Sequence, residues 1–218
     1  TDETLVETLR AHIKEDVPVP EFLCNEIENR GTVETLLPML FDMDTQSVSY
    51  AINLIGDDTR AFDGYFKILE ENLADEEVQS DVTDIFRLHA DEVKPRVIKA
   101  YKNGIAKEAM LEILSRVKER DDEVYQILLS AFLSGEETPM RASYLAAYGD
   151  ERALPVLLEK IEDRSIGFVE FQELKYAIEA LGGEYDEPRD FTGDKDYLAI
   201  EAAGVKAKEN ETDFSPRS

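Results

Sequence analysis

The chain has 218 residues, with 49 acids against 24 bases and a formal net charge of −25. One cysteine, Cys24, and two histidines, His12 and His89, exclude an intramolecular disulfide framework and a Cys/His zinc site. The acid surplus runs through the body (39 acids to 19 bases in residues 1–183) and the tail (ten to five in 184–218), so the surface repels nucleic acid and anionic lipid.

No apolar run reaches the roughly 18 residues of a membrane span, and no basic-then-apolar signal opens the chain, which reads as cytoplasmic. The first residue, Thr1, reads as the result of trimming an initiator Met or more. With 11 Gly and 8 Pro the composition argues against a turn-rich β fold, and apolar residues recur at spacings of three and four. Leu154, Leu157, Leu158 and Ile161 form one such stripe, Val82, Ile85 and Leu88 a second, and Leu111, Leu114 and Val117 a third. The expected class is all-α.

In chain order the spacing predicts helices near 3–15 and 20–30, then over 32–42, 45–55, 59–73 and 75–89. Further helices are expected over 91–102, 105–118, 122–134, 138–148, 151–163 and 168–181. Asp75-Glu76-Glu77 places acids at a helix start, and Asn103-Gly104 gives a left-handed stop. Thr138 reads as an N-cap with Pro139 in the first helical position. Breaks at Gly56, Ala90, Glu119, Gly149 and Gly182 are separated by 34, 29, 30 and 33 residues, each interval holding two helices. A period of this length in an all-helical chain predicts a right-handed α-α superhelix, an armadillo-like solenoid. Residues 1–31 read as its helical N-terminal cap, 32–183 as about five helix pairs, and 184–218 as an acidic, partly disordered extension. That extension carries one short helix near 195–208, expected to dock through Phe191, Tyr197, Leu198 and Ile200, and its final ten residues read as disordered.

The units also resemble one another in residues. Tyr144-Leu145-Ala146-Ala147-Tyr148-Gly149-Asp150-Glu151-Arg152-Ala153-Leu154 aligns with the segment from Tyr50 through Gly56, Asp57 and Arg60 to Phe62, and Tyr176 to Gly182 repeats its first part. Ala51, Ala146, Ala147 and Ala177 suit close helix packing, Gly reverses the chain, and the following Asp caps the next helix. An Ala/Leu-containing second helix closed by Gly-Asp and followed by Arg152-Ala153-Leu154-Pro155 resembles HEAT repeats, particularly the short bacterial type associated with phycobiliprotein lyases. The resemblance covers about 32–183. It implies an Asp in the turn between paired helices, for which Asp44 and Asp163 are candidates, and an Arg early in the second helix, for which Arg141 is the candidate. It implies a scaffold with a concave protein-binding surface and no single chemistry.

Phosphate-loop, dinucleotide, zinc-protease and nucleophile-elbow motifs are all lacking. No catalytic, cofactor or metal residue is expected. Cys24 reads as a buried structural thiol, His12 as a surface ion-pair partner of Glu15 and Asp16, and His89 as a helix-end cation. The acid-rich turns at 70–77 and 119–123 read as solvated, without EF-hand spacing. Aromatic residues recur in the second helices at Tyr50, Phe86, Tyr144, Tyr148, Phe171 and Tyr176, about two of which are expected to reach solvent. Tyr50, Asn53, Phe86, Tyr144, Tyr148, Tyr176 and Glu179 are the candidate partner-binding residues, and a basic segment of another protein is the expected ligand through cation–π and charge contacts. The expected function is a non-catalytic scaffold without cofactor. Two alternatives are a tetrapyrrole-handling lyase or chaperone and an acidic mimic of DNA.

Overall fold

The computed structural model describes residues 1–73 and 75–212, with side chains through Ala203, and among these every regular element is helical. The chain divides into two units, Thr1–Arg120 and Asp121–Ser218. The first holds α1 (Asp2–Lys14), α2 (Glu21–Arg30), α3 (Val33–Leu36), α4 (Thr45–Ile55), α5 (Phe62–Glu71), α6 (Glu76–Leu88), α7 (Ala90–Lys102) and α8 (Lys107–Leu114). The helix expected over 32–42 is α3 followed by a 3-10 turn, Leu37–Phe41, because Pro38 has no N–H to continue the α ladder. Inside the unit α1 packs on α2, α5 on α6 and α7 on α8, while the second members pack on one another, α2 on α4, α4 on α6 and α6 on α8.

Two local features stand out within these helices. A Cβ built on Gly64 of α5 would meet Leu40 Cδ1 at 2.8 Å, so a side chain there would have to push the end of the Leu40 side chain aside. Pro95 stands inside α7 without ending it, removing one ladder donor near the helix start. The stripe expected from Val82, Ile85 and Leu88 is corrected. The core face of α6 is Val78, Val82 and Phe86, spaced by four, whereas Leu88 is 75% exposed. Phe86 wins the interior because Phe62, Tyr65 and Phe66 surround it at ring distances of 5.3, 6.2 and 4.3 Å.

The second unit holds α9 (Asp122–Leu133), α10 (Thr138–Tyr148), α11 (Leu154–Ile161), α12 (Phe168–Ala180) and α13 (Lys195–Thr212). Here α9 packs on α10, α11 on α12, α10 on α12 and α12 on α13. The aligned segments open alike: Asp58 and Asp150 each accept the N–H two residues on and cap 3-10 turns, Thr59–Ala61 and Glu151–Ala153, that lead into α5 and α11. In the first copy the cap is therefore Asp58, not Asp57. At α10 the cap position falls on Glu137, in a left-handed conformation, while the Thr138 hydroxyl turns to the Gly135 carbonyl. The close-packed small residue of α10 is Ala142, and Ala147 lies in solvent.

The extension after Gly183 packs on α12. Tyr185 is buried, and Phe191 and Tyr197 meet Phe168 edge-on at 5.3 and 5.1 Å. Leu198 and Ile200, expected to dock with them, remain exposed. Of the final ten residues, read as disordered, 209–212 are the end of α13, and 213–218 lie outside the described residues.

Candidate functional site

The expected partner-binding residues fall in both units, and burial separates them. On α4 Tyr50 is half-buried and Asn53 exposed. Phe86 is fully buried, so its place on the solvent face of α6 passes to Ile85 and Leu88. Those two line a shallow groove of about 410 Å³ with Asp84, Arg87 and Arg116, and Arg87 pairs there with Asp84 at 2.7 Å and with Glu112 of α8 at 3.0 Å.

In the second unit Tyr144 and Tyr148 are buried rather than presented to a partner. The Tyr148 hydroxyl donates to the Asp121 carbonyl at 2.9 Å and accepts the Asp121 N–H at 2.8 Å, tying the end of α10 to the start of α9. Phe171 is also buried, against Tyr185 and Phe191. Tyr176 is 61% exposed, and Glu179 lies in solvent one turn on, 3.9 Å from Lys175. Of the six recurrent aromatic residues, one stands free and one is half-covered. The outer stripe of α12 reads Val169, Gln172, Glu173, Tyr176, Glu179, opposite the buried Phe171, Leu174, Ala177 and Ile178. Sequence reading found Tyr176 and Glu179 but missed Val169 and Glu173, which their spacing of seven and three from Tyr176 could have supplied.

Two arginines, Arg96 and Arg152, share one geometry. Arg96 of α7 stacks on the Phe66 ring of α5, its Cζ 4.0 Å from the centroid, and is held by Asp63 at 2.7 Å and by both Glu70 oxygens at 3.1 Å. Arg152 stacks on Tyr125 of α9, again at 4.0 Å, and is held by Asp122 at 2.6 Å and by Asp150 beside it. In both, the aromatic ring has an acid three residues before it, and the arginine comes from roughly one helix pair further on. Arg60 likewise joins Asp58 to Glu34 across 26 residues. Arg141, the candidate for the arginine early in a second helix, lies in the first turn of α10 and joins it to α9: it donates to the Ala131 carbonyl at 3.0 Å and the Ser134 hydroxyl at 2.6 Å at the end of α9. Asp44 caps α4 through the Ser47 N–H, and Asp163 holds the Ser165 hydroxyl and N–H.

The cysteine and the two histidines make local contacts. Cys24 is half-buried rather than buried, and desolvation followed by the Glu28 carboxylate pushes its thiol up, away from nucleophilic character. His12 Nδ1 meets the Thr8 carbonyl at 2.8 Å. His89 lies between Asp57 and Glu92, at 3.2 and 3.3 Å, with its ring edge-on to Phe62. Among the described residues no group of three or more His, Cys, Asp or Glu is arranged to hold a metal ion, and no helix is long and apolar enough to cross a membrane. No protein-family model, curated protein or solved structure matches this chain.

Proposed function

We propose that the protein is a non-catalytic interaction module whose units are runs of HEAT-like helix pairs in right-handed succession, and that it binds a basic segment of another protein. The observation that carries this is the outer stripe of α12, where exposed Tyr176 stands between Glu173 and Glu179 with Val169 two turns away. An apolar ring flanked by carboxylates favours a cation with an aliphatic stem, and a chain of net charge −25 draws such a partner in. The packing of second helices on second helices within each unit supports the repeat reading. So do Arg60 and Arg152, at the same place in the two aligned copies, each of which pairs with an acid of an earlier helix, Glu34 or Asp122.

Fluorescence anisotropy with matched basic, neutral and acidic peptides tests the reading. The basic peptide binds, and the double change Glu173→Gln and Glu179→Gln weakens it by about fivefold. Equal binding of the three peptides would refute the proposal.

A further inference from the structure

Twice among the described residues a helix presents an acid, two intervening residues and an aromatic ring, and each time an arginine from further along lies on the ring with its guanidinium on the acid. Asp63 and Phe66 hold Arg96, and Asp122 and Tyr125 hold Arg152. Phe41 has Pro38 at that spacing instead of an acid, and the cation over it is Lys67, at 4.8 Å. Where Arg189 lies over Phe171, which has Phe168 at that spacing, the guanidinium donates to the backbone carbonyls of Ile161 and Asp163. An acid before the ring thus goes with an arginine held side chain to side chain, because the planar fork satisfies a carboxylate while stacking on the ring, which a lysine ammonium does not do.

The same spacing occurs at two other places among the described residues. At Asp194 and Tyr197 the carboxylate is already used, accepting the N–H groups of Phe168, Asp196 and Tyr197, and the ring packs on Phe168. At Glu173 and Tyr176 neither group is used in this way: the ring is in solvent, and among the described residues Glu173 makes no ion pair and no cation lies over Tyr176. Glu179 stands three residues beyond the ring, close to the place that Glu70 takes beyond Phe66 in the Arg96 clamp. Its own contact, Lys175 at 3.9 Å, is long for a charged hydrogen bond and lies in solvent, so it is easily exchanged.

We infer that Glu173, Tyr176 and Glu179 form an external copy of the internal arginine clamp, and that it takes an arginine of another polypeptide. The guanidinium stacks on the Tyr176 ring, one edge donates to Glu173, and the far edge meets Glu179 in place of Lys175. Val169, exposed two turns before Tyr176 on the same stripe of α12, supplies apolar surface for a residue beside that arginine. This inference deepens the basic-partner reading by naming the side chain and the residues that grip it.

The test uses the full chain and three amidated hexapeptides of one apolar sequence carrying two arginines, two lysines or two citrullines, followed by anisotropy and by the ring proton resonances of Tyr176. The arginine peptide should shift the Tyr176 ring resonances and bind about fivefold more tightly than the lysine peptide, because the planar fork can stack on the ring and donate to the two carboxylates together. Citrulline, planar but uncharged, should lose binding. Tyr176→Phe should keep the arginine preference and Tyr176→Ala abolish it, with helical circular dichroism unchanged because the residue is exposed. Equal affinity for arginine and lysine peptides, or arginine binding that Tyr176→Ala leaves intact, overturns the clamp while a basic-partner function stands. Failure of both cationic peptides to bind overturns the two together.

Discussion

Phe86 and Tyr176 show how far apart two aromatic residues of similar sequence setting fall. Phe86 sits in a four-ring cluster, and truncation to Ala should cost about 3–5 kcal/mol by transfer and cavity terms. Tyr176→Ala, in solvent, should move stability by no more than about 0.5 kcal/mol while removing the preference for the arginine peptide. Urea denaturation of the two variants checks this, and a large loss from Tyr176→Ala would place the ring in the core. A second residue-scale consequence concerns acid. The Arg60 guanidinium, and then the Arg60 N–H, hold the Asp58 carboxyl at about 2, below its ordinary 3.8. The Ser165 hydroxyl and N–H do the same for Asp163, also to about 2. A carboxyl lowered by folding gives up its proton more readily in the native state, so its contribution is complete above about pH 4 and is lost as pH falls toward 2. The melting temperature should decline across that window, and Asp58→Asn, which keeps a capping side chain, should flatten part of the decline. Parallel curves for the variant and the parent would contradict the assignment.

At the scale of helices, spacing and punctuation carried most of the information. Gly, Asn and Asp at the breaks have local conformational reasons to be there, so the starts and ends of α4, α9, α10 and α12 lie within a residue or two of expectation. The exceptions are also local: Pro38 turns one expected helix partly into 3-10, and Asp58 and Asp150 open two others with 3-10 turns. Helix faces were less legible. On α6 both Val82-Ile85-Leu88 and Val78-Val82-Phe86 fit helical spacing, and only the rings of α5 decide between them. Tyr144 and Tyr148 look like groove residues by position, yet their hydroxyls allow a tyrosine to be buried when a polar group waits at the far end. The Asp121 peptide is that group for Tyr148, which links α9 to α10. Tyr148→Phe leaves the Asp121 N–H and carbonyl without this partner and should cost about 1–3 kcal/mol. Hydrogen exchange should accordingly quicken in the first turn of α9 more than in α12. Uniform quickening, or none, would show that the hydroxyl is not the link.

For the molecule as a whole the governing quantity is charge. Acids outnumber bases about two to one, and arginines are largely spent on internal acids, as at Arg60, Arg87, Arg96 and Arg152. The field of the surplus therefore acts outward. It speeds encounter with a cationic segment and slows encounter with an anionic one, without deciding which side chain is gripped at close range. These two contributions separate with salt. Raising ionic strength from about 0.05 M to about 0.5 M shortens the screening length from roughly 14 Å to roughly 4 Å, so long-range attraction fades while a stacked, hydrogen-bonded guanidinium is disturbed far less. For the arginine hexapeptide the association rate should fall by about tenfold or more over this range, with the dissociation rate changing by less than about threefold. The lysine peptide, attracted by the same field but lacking the planar fork, should lose a similar factor in association and start from faster dissociation. Stopped-flow measurements resolve both rates. If salt acted mainly on dissociation, attraction by the acidic surface would not be what brings the partner in, and binding would rest on contact chemistry alone.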